Sequence, residues 1–171
     1  MSPLSARDTA RLGLLAGTAI ILFVFEGLAP RPLPWMRLGL GNLPVLLALL
    51  LYGPFPALAV SGVKLLIGGL LSGALAGPGF VIGGGAALAS LGAMAAGRRL
   101  GRGAFSPVGL SVLGAVAHQG MQLLLAWVYI GRAELWSLLP LSLLIGLVSG
   151  FLIGLLARWS RDRLDAADPR E

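Results

Sequence analysis

Cysteine is absent from this chain of 171 residues. That excludes disulfides, thiolate metal centres, iron–sulfur clusters and cysteine nucleophiles, and leaves the redox compartment unread. Histidine occurs once, so a multi-histidine metal site cannot be assembled. Charge is scarce as well. Asp, Glu, Lys and Arg together make 12% of the residues, about half of what a water-soluble domain carries. A soluble domain built from this chain would lack its polar coat. No G-x-x-x-x-G-K-[ST] loop occurs either, so a nucleotide motor of that kind is not encoded here.

What fills the chain instead is apolar: 57% hydrophobic residues and 26 glycines. Lys64 and Arg98 enclose 33 residues without a charge, Arg102 and Arg132 enclose 29, and Glu134 and Arg158 enclose 23. A hydrocarbon layer about 30 Å thick needs about 20 apolar residues at a helical rise of about 1.5 Å each. Each gap is long enough. The sequence therefore specifies an integral, multi-pass membrane protein whose surroundings are a lipid bilayer, with a bacterial inner membrane the expected location. The formal charge of +6 follows from basic cytoplasmic loops and does not point to nucleic acid.

Breaks at proline, glycine and arginine clusters divide the single domain, residues 1–171, into six apolar segments: about 12–28, 38–53, 55–74, 80–97, 107–130 and 135–157. Each is apolar around its whole circumference, as a helix in lipid should be. The strict alternation of a barrel strand is missing. The expected fold is all-α, with six transmembrane helices. The second segment is short and needs neighbours, or a thin bilayer, to match the hydrocarbon. The first continues past Arg7 and Arg11 to Glu26-Gly-Leu-Ala-Pro without a small-x-small cleavage site, and is read as a retained span.

Lys/Arg distribution sets the expected orientation. With the N-terminus in the cytoplasm, Arg7, Arg11, Arg98, Arg99, Arg102, Arg158, Arg161, Arg163 and Arg170 lie inside, against Arg31, Arg37 and Arg132 outside. Both termini are then cytoplasmic. Trp35, Trp127, Tyr129 and Trp136 fall near the outer interface, where amphipathic rings settle. The tail from Arg158 to Glu171 alternates in sign and reads as a frayed, solvated helix end; Asp162 and Asp165 there, beside arginines, are poor magnesium ligands.

Small residues recur at helical spacing. Ser142, Gly146, Gly150 and Gly154 form one stripe, which reads as internal packing, and so does the Gly83-Gly84-Gly85 run. Gly13 and Gly17 form another, on a face that could receive a partner subunit. Polar residues within the spans rank first as site candidates, because they are costly in lipid. Lys64 lies midway along the third segment. His118, followed by Gln119 and Gln122, lies midway along the fifth, and His118 and Gln122 share a face. Glu26 closes the first segment, with Arg37 and Asn42 across the following loop. Each has a plainer alternative: Lys64 pairing with Glu26, His118 and Gln122 bonding neighbouring helices, Arg37 anchoring at the interface, Asn42 satisfying a helix start.

Two strings carry a family resemblance. Arg37-Leu-Gly-Leu-Gly-Asn-Leu-Pro, entered through Pro32-Leu-Pro-Trp, resembles the "P-G-x-K-L-G-L-A-N" opening of the Gx transporter family. Phe105-Ser-Pro-Val-Gly-Leu-Ser-Val-Leu-Gly-Ala-Val-Ala-His-Gln-Gly-Met-Gln resembles that family's "F-S-x-x-G-x-S-x-x-G-A-x-x-H-N-x-x-Q" segment. Gly41 and Gln119 stand where alanine and asparagine are usual, and Lys64 where arginine is common. The same family is labelled heptaprenyl diphosphate synthase component I, and its six-helix pattern is similar to substrate-binding subunits of energy-coupling-factor transporters. The resemblance implies two functions. One is a substrate-binding transporter subunit, with Lys64, His118 and Gln122 on the floor of an outward-opening pocket and Glu26, Arg37 and Asn42 nearer its mouth. It would take a small polar or anionic solute and rely on a separate ATPase and coupling protein, docking on the Gly13/Gly17 face. The other is an accessory membrane component of prenyl diphosphate synthesis that recruits a soluble synthase. It would have no catalytic residues of its own, since the D-D-x-x-D magnesium motif is missing. Neither reading calls for a cofactor or a metal.

Overall fold

The computed structural model describes residues 5–28, 39–73, 75, 77–101 and 103–167, with side chains described as far as 164. Helices α1 (Ala6–Leu28), α2 (Asn42–Tyr52), α3 (Pro54–Leu71), α4 (Pro78–Leu100), α5 (Pro107–Ile130) and α6 (Leu139–Ala167) follow one another, with a short 3-10 turn at Ala133–Leu138 before α6. No strand occurs among the described residues. Helix starts and stops follow local chemistry. Ser5 Oγ accepts from Asp8 N at 3.1 Å and caps α1. Pro54, Pro78 and Pro107 open α3, α4 and α5, where the missing N–H costs nothing. Ser106 Oγ accepts from Gly109 N, and Gly131 ends α5 in the left-handed region at φ 74°.

Five stretches are long and apolar enough to cross a membrane: α1, α3, α4, α5 and the 3-10 turn continued into α6. The bundle is built for lipid. Leu14, Ile21, Phe25, Phe55, Leu66 and Val81 point outward, while Lys64, Glu26, His118, Gln119 and Gln122 are buried. A soluble core sorts these residues the other way round. The tail, expected to fray from Arg158, stays helical to Ala167, with the Arg163 guanidinium over the Trp159 ring at 5.2 Å.

The second expected segment differs from the rest. Helix α2 has 11 residues, about 16 Å of rise at about 1.5 Å per residue and so about half of a hydrocarbon core. It packs on α1, α3, α4 and α6, and Val45–Leu49 are buried. The neighbours that so short a segment needs are therefore those four helices. Its first turn also explains how a helix can begin deep inside the bundle. Asn42 N donates to Gly39 O and Leu43 N donates to Leu40 O. Pro44, next in line, has no N–H to satisfy. The amides of the first helical residues, Asn42 to Pro44, are therefore engaged or absent, as a low-dielectric interior demands.

Helices α5 and α6 form the largest packed interface, and the α6 glycine stripe lies in it. A Cβ at Gly150 would fall 2.9 Å from Val108–Val112 backbone at Val112 Cα, and one at Gly154 would fall 2.6 Å from Val108 Cα. Gly13 and Gly17, by contrast, have no atom within 4 Å of a Cβ position. Gly154→Ala should therefore destabilise the protein by about 1–3 kcal/mol through overpacking against backbone. Gly13→Ala should be neutral or stabilise by up to about 1 kcal/mol through helix propensity. Thermal unfolding in a single detergent compares the two, and equal effects would disprove the internal role of the stripe.

Candidate functional site: a polar hollow inside the bundle

Helices α2 and α3 form a hairpin about Gly53, whose φ of 96° suits glycine. Asn42 and Lys64 lie equally far from Gly53 along the chain, so the antiparallel hairpin brings them level. Lys64 Nζ donates to Asn42 Oδ1 at 2.8 Å. One turn away, Glu26 near the end of α1 accepts from Gly39 N at 2.6 Å through Oε1. A charged acceptor on a buried backbone donor makes a strong hydrogen bond. These two bonds tie the start of α2 to α1 and to α3. Gly41 fits between them because its missing side chain would press on Lys64 Cδ at 3.2 Å and Ala19 O at 3.3 Å.

Two small hollows adjoin this junction. One is bordered by Phe23, Glu26, Gly41, Lys64, Leu65, Gly83 and Ala87, the other by Leu46, Ser90, Met94, Ser111, Ala115, Gln119, Ser149 and Ile153. Gly39, Asn42 and His118 border both and form the partition. Each hollow measures about 20 Å³, room for a water molecule or two. The described residues leave little space at the polar centre.

Lys64, His118, Asn42 and Glu26 thus meet around one hollow, and Gln119 faces the next. The expected division into a floor and a mouth does not hold. Glu26 and Asn42 share a level with Lys64, because α2 starts half-way up α3 and not at its end. The expected Lys64–Glu26 pairing gives way to bonds with Asn42 and Gly39. Gln122 is buried one turn from His118 but does not border either hollow. Arg37 lies outside the described residues. The triple glycine divides. A Cβ on Gly85 would meet Leu125 Cδ1 at 2.5 Å, whereas buried Gly83 has no atom within 4 Å of that position and borders the hollow.

The profile of the heptaprenyl diphosphate synthase component I family matches residues 15–159, a span that takes in the whole polar centre. The chain belongs to that family. No curated protein and no solved structure matches it. Sequence reasoning missed Gly39, Gly83, Ser90, Ser111 and Ser149, which border the hollows. Serines and glycines in apolar helices look like packing; the convergence of α4, α5 and α6 reveals Gly83 and the serines, and the bond to Glu26 reveals Gly39. Among the described residues, no group of three His, Asp or Glu is placed to hold a metal.

Glu26→Ala should cost about 1–3 kcal/mol by leaving Gly39 N unsatisfied in the interior. Glu26→Gln, which keeps an acceptor oxygen, should recover most of that. Thermal unfolding of both variants decides the matter: equal losses would show that Glu26 matters by its charge and not by this bond.

Proposed function

We propose that this protein is the substrate-capturing membrane subunit of a transporter, with its binding centre at the polar hollow. The observation carrying this reading is the convergence of Lys64, Asn42, Glu26 and His118, from four different helices, on one small hollow. Buried ionisable groups in a membrane are functional by default, and polar residues used only to join helices need no space between them. An ammonium and amide groups suit a solute bearing carboxylate, phosphate or a polar ring. Catalysis is not part of the proposal, and neither is a cofactor or a metal.

In this reading the chain crosses a cell membrane, the inner membrane of a bacterium, six times, with the short α2 counted as the second crossing. Both ends lie in the cytoplasm, as the excess of inward arginines requires. The organisation is that of the substrate subunits of energy-coupling-factor transporters. Energy comes from a separate ATPase through a coupling protein docked on the open Gly13/Gly17 face of α1. A second reading is favoured by the family description: an accessory membrane component for heptaprenyl diphosphate synthesis that recruits a soluble prenyl synthase. Co-purification from the native host separates the two, because an ATPase pair supports capture and a soluble synthase supports the accessory role.

Gly83→Val offers the cleanest test of the hollow itself. No described atom stands within 4 Å of the new Cβ, and the two γ-methyls enter the hollow at a cost of up to about 1–3 kcal/mol, which thermal unfolding of the variant measures. Thermal-shift screening with small carboxylates, phosphates and polar heterocycles should give hits on the wild type. Gly83→Val, Lys64→Ala and His118→Ala should each lose those hits. Stabilisation that survives all three substitutions unchanged would rule out this site.

A further inference from the structure

The hollow bordered by serines lies across His118 and Asn42 from that of Lys64. Three helices each bring one hydroxyl to it: Ser90 from α4, Ser111 from α5 and Ser149 from α6. All three residues are buried, at 2%, 5% and 9% exposure. A serine inside a helix can satisfy its hydroxyl on a carbonyl of the preceding turn. Ser72 does so, donating to Gly68 O at 2.7 Å. Ser149 reaches Gly146 O only at 3.3 Å. Ser90 and Ser111 make no such bond among the described residues. Gly114 leaves the first of them its place, since a Cβ there would fall 3.0 Å from Ser90 Oγ.

A buried hydroxyl without a partner is costly in a low-dielectric interior. The hollow measures about 20 Å³, which suits a water molecule and excludes an organic solute. No carboxylate, lysine or arginine borders it, so a neutral group fits it better than an ion. Each hydroxyl both donates and accepts, and water matches that where an apolar atom does not. We propose that this hollow is the site of an ordered water, bound by the hydroxyls of Ser90, Ser111 and Ser149, that bridges α4, α5 and α6. Helices α4 and α6 both pack on α5, and the water adds a polar link between all three. In lipid, where burying leucine against leucine adds little, interhelical hydrogen bonds of this kind help to hold a bundle together. Lys64 does not border this hollow, so the water site and the capture reading stand or fall separately.

Hydroxyl-radical footprinting by X-ray radiolysis tests this on the full-length protein in nanodiscs, because radicals formed from a bound water mark the side chains beside it. Met94 borders the hollow and is 3% exposed. In the wild type it should be oxidised severalfold faster than in Ser90→Val or Ser111→Val, where a hydroxyl is lost and the added methyls take the place of the water. Ser142→Ala removes a buried serine that borders neither hollow and should leave Met94 oxidation unchanged. Thermal unfolding of Ser90→Ala, Ser111→Ala, Ser149→Ala and their three pairs gives a second reading that introduces no larger side chain. Partners of one water are coupled, so each pair should melt within about 1 °C of its less stable member and not at the sum of both losses. Met94 oxidation as slow in the wild type as in the valine variants would show a dry hollow and overturn the proposal. Strictly additive losses across the alanine pairs would overturn it too, because the three hydroxyls would then act separately.

Discussion

An ammonium group buried among lipid-facing helices has to meet oxygen from its own chain, and here Asn42 Oδ1 stands 2.8 Å from Lys64 Nζ. Much of the architecture follows from that requirement. Charge in hydrocarbon is costly enough that a lysine half-way along a span needs a local polar environment. The hairpin about Gly53 provides one by returning the chain to the level of Lys64, where α2 begins. A helix starting at that depth brings its own open amides. The carbonyls of Gly39 and Leu40 take the amides of Asn42 and Leu43, the proline at position 44 has none, and the carboxylate of Glu26 takes the amide of Gly39 just before the helix. One buried cation thus accounts for a half-length helix, a glycine-rich approach to it and an acidic residue at the end of α1.

The remaining helices are held by a different force. Lipid chains are as apolar as leucine, so burial of leucine against leucine adds little inside a bilayer. Close approach does more. The α6 stripe lets α5 and α6 meet backbone to backbone, with Ala115, Val112 and Val108 against Gly146, Gly150 and Gly154. Leucines and phenylalanines are thereby left free to face the bilayer. The same device serves an opposite end at Gly83, where the missing side chain leaves space instead of contact.

Membership of the component I family joins this chain to a label drawn from prenyl diphosphate synthesis. One carboxylate is engaged by a backbone amide, one ammonium by an amide oxygen, and the space beside them is small. A bundle with those features holds polar groups away from lipid.

Composition and charge spacing alone determine that the protein is helical, apolar outside and embedded in membrane, because the thickness of a bilayer acts on every span independently of its neighbours. They also single out Lys64, His118 and Glu26, since any polar residue within such a span stands out. Tertiary structure decided the rest. Whether Glu26 pairs with Lys64 or with Gly39, whether Gly83 packs or leaves room, and whether Ser149 faces a hollow or a helix all depend on residues far away in sequence. The α2 segment shows the boundary between the two. Its sequence reads as a short span, but its length and depth are set by where α3 places a lysine, and hydrophobicity carries no record of that distance.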